Sequence, residues 1–255
     1  MVDDARLERL RREHRPELYP SRTDLLESLT SRSEPRFEAG MEAAIRAGTD
    51  GERALVEALD QVARTRRPQI VYALREARGR LGSTDAVLQR LVQQESGPGS
   101  VELRVMAMGA LAARAPVDAM PVLVRVLRSD PIGELKDSAL RYLAAVGDES
   151  AIPEGRHRLL TQLRRPSRDV EGRITALAYL GQHVPPATTE MTDLVRSVRR
   201  HWRSVHPLLE RPWLARHWPG IAPDGPPPPE VPGPDAQALR NWARSTMLLP
   251  NRTDA

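Results

Sequence analysis

Five stretches of this chain share one pattern at a nearly fixed spacing. That repetition narrows the fold more than any other feature. The segments VELRVMAMGAL (101–111), GELKDSALRYL (133–143) and VEGRITALAYL (170–180) each carry Glu, a spacer, a basic residue, two spacers and a small residue. The matching positions are Glu102, Arg104 and Ala107; Glu134, Lys136 and Ala139; and Glu171, Arg173 and Ala176. An earlier copy, EPRFEAGMEAA, supplies Glu34, Arg36 and Ala39. A degenerate copy, PQIVYALREA, keeps Ala73 but has Pro68 and Ile70 at the Glu and basic positions. The anchors Ala39, Ala73, Ala107, Ala139 and Ala176 follow one another at intervals of 34, 34, 32 and 37 residues.

Each copy ends in a short break and is followed by a second apolar-periodic segment. The breaks AGTDGE, LGSTDA, RAPVDA, VGDESA and GQHVPPATTE are built from residues that end one helix and cap the next. The second segments carry the one-face stripe of an amphipathic helix. Leu55, Ala58, Leu59 and Val62 lie at i, i+3, i+4 and i+7, as do Met120, Leu123, Val124 and Leu127, and Met191, Leu194, Val195 and Val198. Leu88, Leu91 and Val92 form a shorter version. No segment alternates strictly between hairpin turns, so the sequence predicts an all-α chain.

Two helices per ~34-residue unit is the arrangement of an α-solenoid. A basic residue near the start of the first helix, then Ala and Leu, then GD–x–x–A–[IM]–P into the second helix, resembles HEAT repeats, in particular the short bacterial HEAT-like or PBS-lyase-like kind. Asp118, Ala119 and Pro121 match that linker, as do Gly147, Asp148, Ala151 and Pro153. The resemblance covers roughly residues 33–200. It implies a right-handed α-α superhelix of about five helix pairs. The family includes scaffolds, enzyme subunits, lyases and nucleic-acid binders, so the resemblance specifies fold and not activity.

The ends differ from the repeats. Residues 1–32 read as a polar helical cap, with Leu7 and Leu10 and then Leu25, Leu26 and Leu29 as short apolar faces. Residues 201–218 hold Trp202, Trp213 and Trp218 and read as a C-terminal cap. Residues 219–234 contain eight prolines in sixteen positions and read as a polyproline II spacer. Residues 235–255 read as a short amphipathic helix, with Ala238, Leu239, Trp242 and Met247 on its apolar side, and a tail.

Composition restricts the chemistry. The chain has no Cys, which removes disulfides, thiolate metal sites and a cysteine nucleophile. No apolar run approaches the ~20 residues that span a bilayer. The N-terminal MVDDARLERLRREHR lacks the apolar centre of a secretory signal, so a cytoplasmic protein with no membrane partner is expected. His201 and His206 are five apart, a poor helical spacing for a metal pair, and no third ligand is evident. Neither a His-Glu pair, a GxSxG motif nor a phosphate loop is present. The expectation is a non-catalytic protein with no metal and no cofactor.

Charge is unevenly placed. Of 38 basic residues 37 are Arg, a bias that pervades every region and reads as background. Residues 1–50 carry 9 basic and 11 acidic side chains, and residues 51–150 carry 14 and 13. Between Arg156 and Arg216 there are 12 Arg against 5 acids. The dense runs RHRLLTQLRRPSR and RSVRRHWR lie at the second helices of the last two copies, which neighbour one another in a solenoid. Arg156, Arg158, Arg164, Arg165, Arg168, Arg199, Arg200 and Arg203 are thus candidates for an anion-binding face, with Trp202 and Trp213 as aromatic contacts. The bland alternative is a solvated arginine face. The repeated basic residues Arg36, Arg104, Lys136 and Arg173 read as a structural ladder paired with acids of adjacent repeats. One copy breaks the stripe: Gly155 and Arg156 stand where Leu123 and Val124 stand in the copy before it. The sequence therefore predicts a scaffold that binds a macromolecule, in the first place a protein. Nucleic acid or another phosphate ligand on the arginine face is the alternative, and a HEAT-like DNA glycosylase, from fold analogy, the third reading.

Overall fold

The computed structural model describes residues 20–95, 97, 99–147, 149–164, 170–185 and 188–201, and singly Val205, Leu208, Leu214 and Trp218. Among these residues the structure is all-helical, with no strand. The helices are α1 (Arg22–Leu29), α2 (Glu34–Arg46), α3 (Gly48–Gln61), α4 (Arg67–Glu76), α5 (Gly82–Gln94), α6 (Ser100–Arg114), α7 (Pro116–Ser129), α8 (Gly133–Val146), α9 (Ile152–Arg164), α10 (Glu171–His183) and α11 (Thr189–Arg199). A 3-10 turn, Arg64–Arg66, leads into α4.

The ends of the helices follow from local chemistry. Ser21 and Asp24 form a capping box: the Ser21 hydroxyl accepts from Asp24 N at 3.2 Å, and Asp24 Oδ2 accepts from Ser21 N at 3.0 Å. Prolines sit in the first turn of α2 and α4, where no backbone N–H is required. Gly147 closes α8 at φ +79, a left-handed conformation, and its N–H bonds Leu143 O at 2.9 Å. Thr188 caps α11 by accepting from Met191 N at 3.2 Å. The breaks are shorter than the sequence suggests. Only Ala47 separates α2 from α3. Only Ala115 separates α6 from α7, so Asp118 lies in the first turn of α7 and Pro121 inside it. Pro121 removes the hydrogen bond to the carbonyl of Val117, a residue 72% exposed, where water can replace it.

The chain divides into two compact units, one ending at Ala115 and the other beginning at Pro116. In the first unit α1 packs on α2 and α3, α4 lies between α2 and α6, and α3 lies beside α5. In the second unit α8 lies beside α10, and α9 neighbours both α7 and α11. Close pairing joins each second segment to the first segment that follows it: α3 to α4, α5 to α6, α7 to α8 and α9 to α10.

Four of the five anchors, Ala73, Ala107, Ala139 and Ala176, are fully buried. The first is displaced by one: Ala39 is exposed and Gly40 is buried in its place. A Cβ on Gly40 would lie 2.8 Å from the Ser28 Cβ, so the close approach of α1 selects glycine there. The approach of α2 to α3 is tighter still, since a Cβ on Gly51 would overlap the carbonyl of Ala44. Leu55, Ala58, Leu59, Leu88, Val92, Leu123, Val124, Leu127, Met191, Leu194 and Val198 are buried, and Val62, Leu91, Met120 and Val195 are half-buried. In the cap segments Leu25 and Leu29 are buried, while Leu7, Leu10 and residues 219–255 lie outside the described residues.

Candidate interaction surface

Much of the charge in the core serves the fold. Arg114, the last residue of α6, and Glu52 of α3 form an ion pair in which both side chains are fully buried. Arg114 Nε also donates to Asp85 Oδ1 at 2.9 Å, and its Nη1 donates to Leu74 O at 2.9 Å. Glu52 Oε1 additionally accepts from Leu81 N at 3.2 Å. One guanidinium thus ties α3, α4 and α5 to the end of α6, a geometry that its planar fork of five donors suits. Repeat matching passes over Arg114, which stands outside the shared positions. The remaining signal is an Arg that ends an otherwise apolar helix.

The repeated basic positions have separate fates. Arg36 is exposed and lies 3.4 Å from Glu27 of α1. Arg104 is buried and its Nε donates to Val92 O at 2.7 Å. Lys136 is half-buried and Arg173 is buried. Cross-repeat ion pairs do occur, at other arginines: Arg66 with Glu34 at 2.5 Å and Arg141 with Glu171 at 3.8 Å.

In the second unit the break in the apolar stripe has a physical cause. Gly155 is buried because the ring of Tyr179 from α10 lies against it; a Cβ there would sit 3.0 Å from Tyr179 Cδ1. Tyr179 is fully buried, and its hydroxyl accepts from Ala151 N at 3.1 Å, satisfying an N–H just before α9. The missing volume of residue 155 is supplied by an aromatic ring from the next helix in sequence.

The arginines of α9 divide by face. Arg158 turns inward and binds Asp137 of α8 through Nε at 2.8 Å and Nη2 at 2.7 Å, a two-pronged structural pair. His157, Thr161 and Arg164 form the exposed strip opposite the buried Leu159 and Leu163. Glu154 lies on the flank toward α7, where Arg128 Nε binds it at 2.6 Å. Arg156 comes two residues, about 200°, later and so lies on the other flank, toward α11. It is half-buried and has no ion pair to a described residue. On α11 Arg196 and Arg199 are exposed, as is Arg200 at its C-cap, and Arg196 pairs with Asp193 at 2.8 Å. Arg156 and Arg164 of α9 and Arg199 and Arg200 at the end of α11 therefore lie on neighbouring helices. Arg165, Arg168, Arg203, Trp202 and Trp213 lie outside the described residues. Trp218 is buried and donates its indole N–H to Leu177 O of α10 at 3.1 Å, a packing role.

Among the described residues no three His, Asp or Glu side chains are grouped to hold a metal ion. No helix there is long and apolar enough to cross a membrane. Compared with family models, with curated proteins and with solved structures, the chain matches none.

Proposed function

We propose that this chain is a HEAT-like α-solenoid scaffold without catalytic activity, which binds an acidic region of a partner protein through the second helices of its second unit. The observation that carries the reading is that Arg156 and Arg164 of α9 and Arg199 and Arg200 at the end of α11 lie on neighbouring helices. Buried Leu159 and Leu163 hold α9 in place, and buried Met191, Leu194 and Val198 hold α11, so a packed framework carries these charges. Arginine on a rigid surface meets carboxylates with paired hydrogen bonds at modest entropic cost. Acids interspersed on the same helices, Glu154 and Asp193, suit a protein surface of mixed charge more than a uniform phosphate track.

A second reading is nucleic-acid binding, favoured by the 12 Arg against 5 acids between Arg156 and Arg216. One experiment separates the two: affinity capture from native lysate, with and without nuclease, by the natural chain and by a variant carrying Arg156, Arg164, Arg199 and Arg200 all as Glu. The proposal expects a partner that survives nuclease and is lost with the variant. Capture abolished by nuclease favours the second reading. Capture unaffected by the four substitutions removes the arginine face from both.

A further inference from the structure

Two arginines that helical geometry treats alike have opposite fates on α9. We propose, on the reading that the arginines of α9 and α11 bind acids, that Asp137 is a specificity-determining residue of that surface. By holding Arg158 inside the fold it closes the flank of α9 toward α7 to acids and leaves the flank toward α11 open.

Arg156 and Arg158 stand on either side of His157, which is exposed. Each lies about 100° around the helix from it, so the two sit on opposite flanks within about 3 Å along the axis. Both are half-buried. An arginine on either flank has the reach to bring its charged head into water. The neighbours make the difference.

Arg158 enters a place shaped for its guanidinium. Asp137 Oδ1 accepts from its Nε at 2.8 Å and Oδ2 from its Nη2 at 2.7 Å, and Gly133 O accepts from Nη2 at 3.3 Å. Asp137 exposes 7% of its side chain and Arg158 19%, so water and salt screen the pair little. Two glycines clear the space. A Cβ on Gly133, the first residue of α8, would lie 3.0 Å from Arg158 Nη2. A Cβ on Gly172, in the first turn of α10, would lie 2.8 Å from Asp137 Oδ2. The carboxylate thus also faces the start of a helix that has no side-chain cap of its own, where the helix dipole attracts negative charge.

The same flank is neutralised a second time, where Glu154 holds Arg128 of α7 at 2.6 Å. On the other flank Arg156 has no ion pair to a described residue. A partner carboxylate approaching Arg158 has to displace Asp137, which already makes a two-pronged contact. At Arg156 it meets no such competitor. Removing the Asp137 carboxylate therefore turns Arg158 from a bound group into a second flank cation.

The test uses the full chain with 15N-labelled arginine, titrated at pH 7 with a capped hexaglutamate peptide and read through the side-chain Nε–H signals. In the natural chain the expected result is saturable shifts at Arg156 and Arg164 and none at Arg158. In Asp137→Ala the Arg158 signal joins them, and the peptide binds about threefold more tightly, as one further exposed ion pair allows. Adding Arg158→Met to Asp137→Ala returns the affinity to that of the natural chain. A purely structural role for Asp137 gives the opposite sign, because a loosened α9 presents its face less well. Asp137→Asn, which keeps the shape and one acceptor oxygen, serves if Asp137→Ala does not fold. Unchanged or weaker binding by the Asp137 variant overturns the proposal, as does a shift of Arg158 in the natural chain, and either result leaves the arginine face in place. Absence of saturable shifts in the natural chain at millimolar peptide overturns both the face and the role of Asp137.

Discussion

Replacing Arg114 by Met tests whether the buried charge network holds the first unit together. The substitution keeps the length and apolar stem of the side chain but removes the cation. Glu52 is then left fully buried with one remaining donor, Leu81 N at 3.2 Å. Removing one partner of a buried ion pair costs about 3–5 kcal/mol, because the surviving charge loses its compensation while staying out of water. Asp85 is half-buried and can recover part of its loss by hydration. Removing the acid is a smaller insult. In Glu52→Leu, Arg114 keeps Asp85 Oδ1 and Leu74 O, each at 2.9 Å, so the expected loss is about 1–3 kcal/mol. The double variant Glu52→Leu, Arg114→Met leaves neither charge uncompensated in the core. It should be less destabilised than Arg114→Met alone, giving a coupling of about 2 kcal/mol or more. The assay is urea unfolding followed by helical circular dichroism, which reads the helices of the first unit directly. A loss below about 1 kcal/mol for Arg114→Met, or additive effects in the double variant, would refute the argument.

Other substitutions probe the remaining contacts. Tyr179→Phe deprives the buried Ala151 N–H of its acceptor and should cost about 1–2 kcal/mol, read by chemical denaturation. Gly→Ala in a helix ordinarily gains about 1 kcal/mol. Gly51→Ala should instead lose about 3 kcal/mol, since its new methyl meets the Ala44 carbonyl, and should lose more than Gly155→Ala, whose methyl meets a Tyr179 ring that can shift. A reversed order would show that the α2–α3 approach is not a backbone constraint. The Ser21 hydroxyl and backbone N–H hold the Asp24 carboxyl below its ordinary 3.8, so the capping box stabilises the fold above that pH and this contribution is lost as pH falls through the lowered value. The gap in melting temperature between the natural chain and Ser21→Ala should therefore be wider at pH 6 than in strong acid, where the Ser21 hydroxyl still accepts from Asp24 N but no longer meets a carboxylate. A gap independent of pH would exclude the role of Asp24.

How far the fold and the surface were legible differs from residue to residue. Ala73, Ala107, Ala139 and Ala176 were readable because a small residue at the same place in successive copies reflects one packing geometry repeated. The first copy slipped by one, to Gly40, because its neighbour α1 stands outside the repeat and comes closer than a methyl allows. The arginine-rich stretch was visible as a count, but the count treats Arg158 and Arg164 alike. Only the fold sends Arg158 to Asp137 and leaves Arg164 in water.

The sequence by itself thus determined the helices, their approximate repeat and the face each one buries. Those properties depend on backbone propensity and on periods of three to four residues, which are local. The tertiary structure decided which charges are spent inside and which remain available. It placed Glu52 of α3 against Arg114 of α6, set Tyr179 into the space left by Gly155, and divided the chain at Ala115. These outcomes depend on groups brought together from distant positions, where burial raises the cost of an unpaired charge and the volume of one side chain fixes what its neighbour can be.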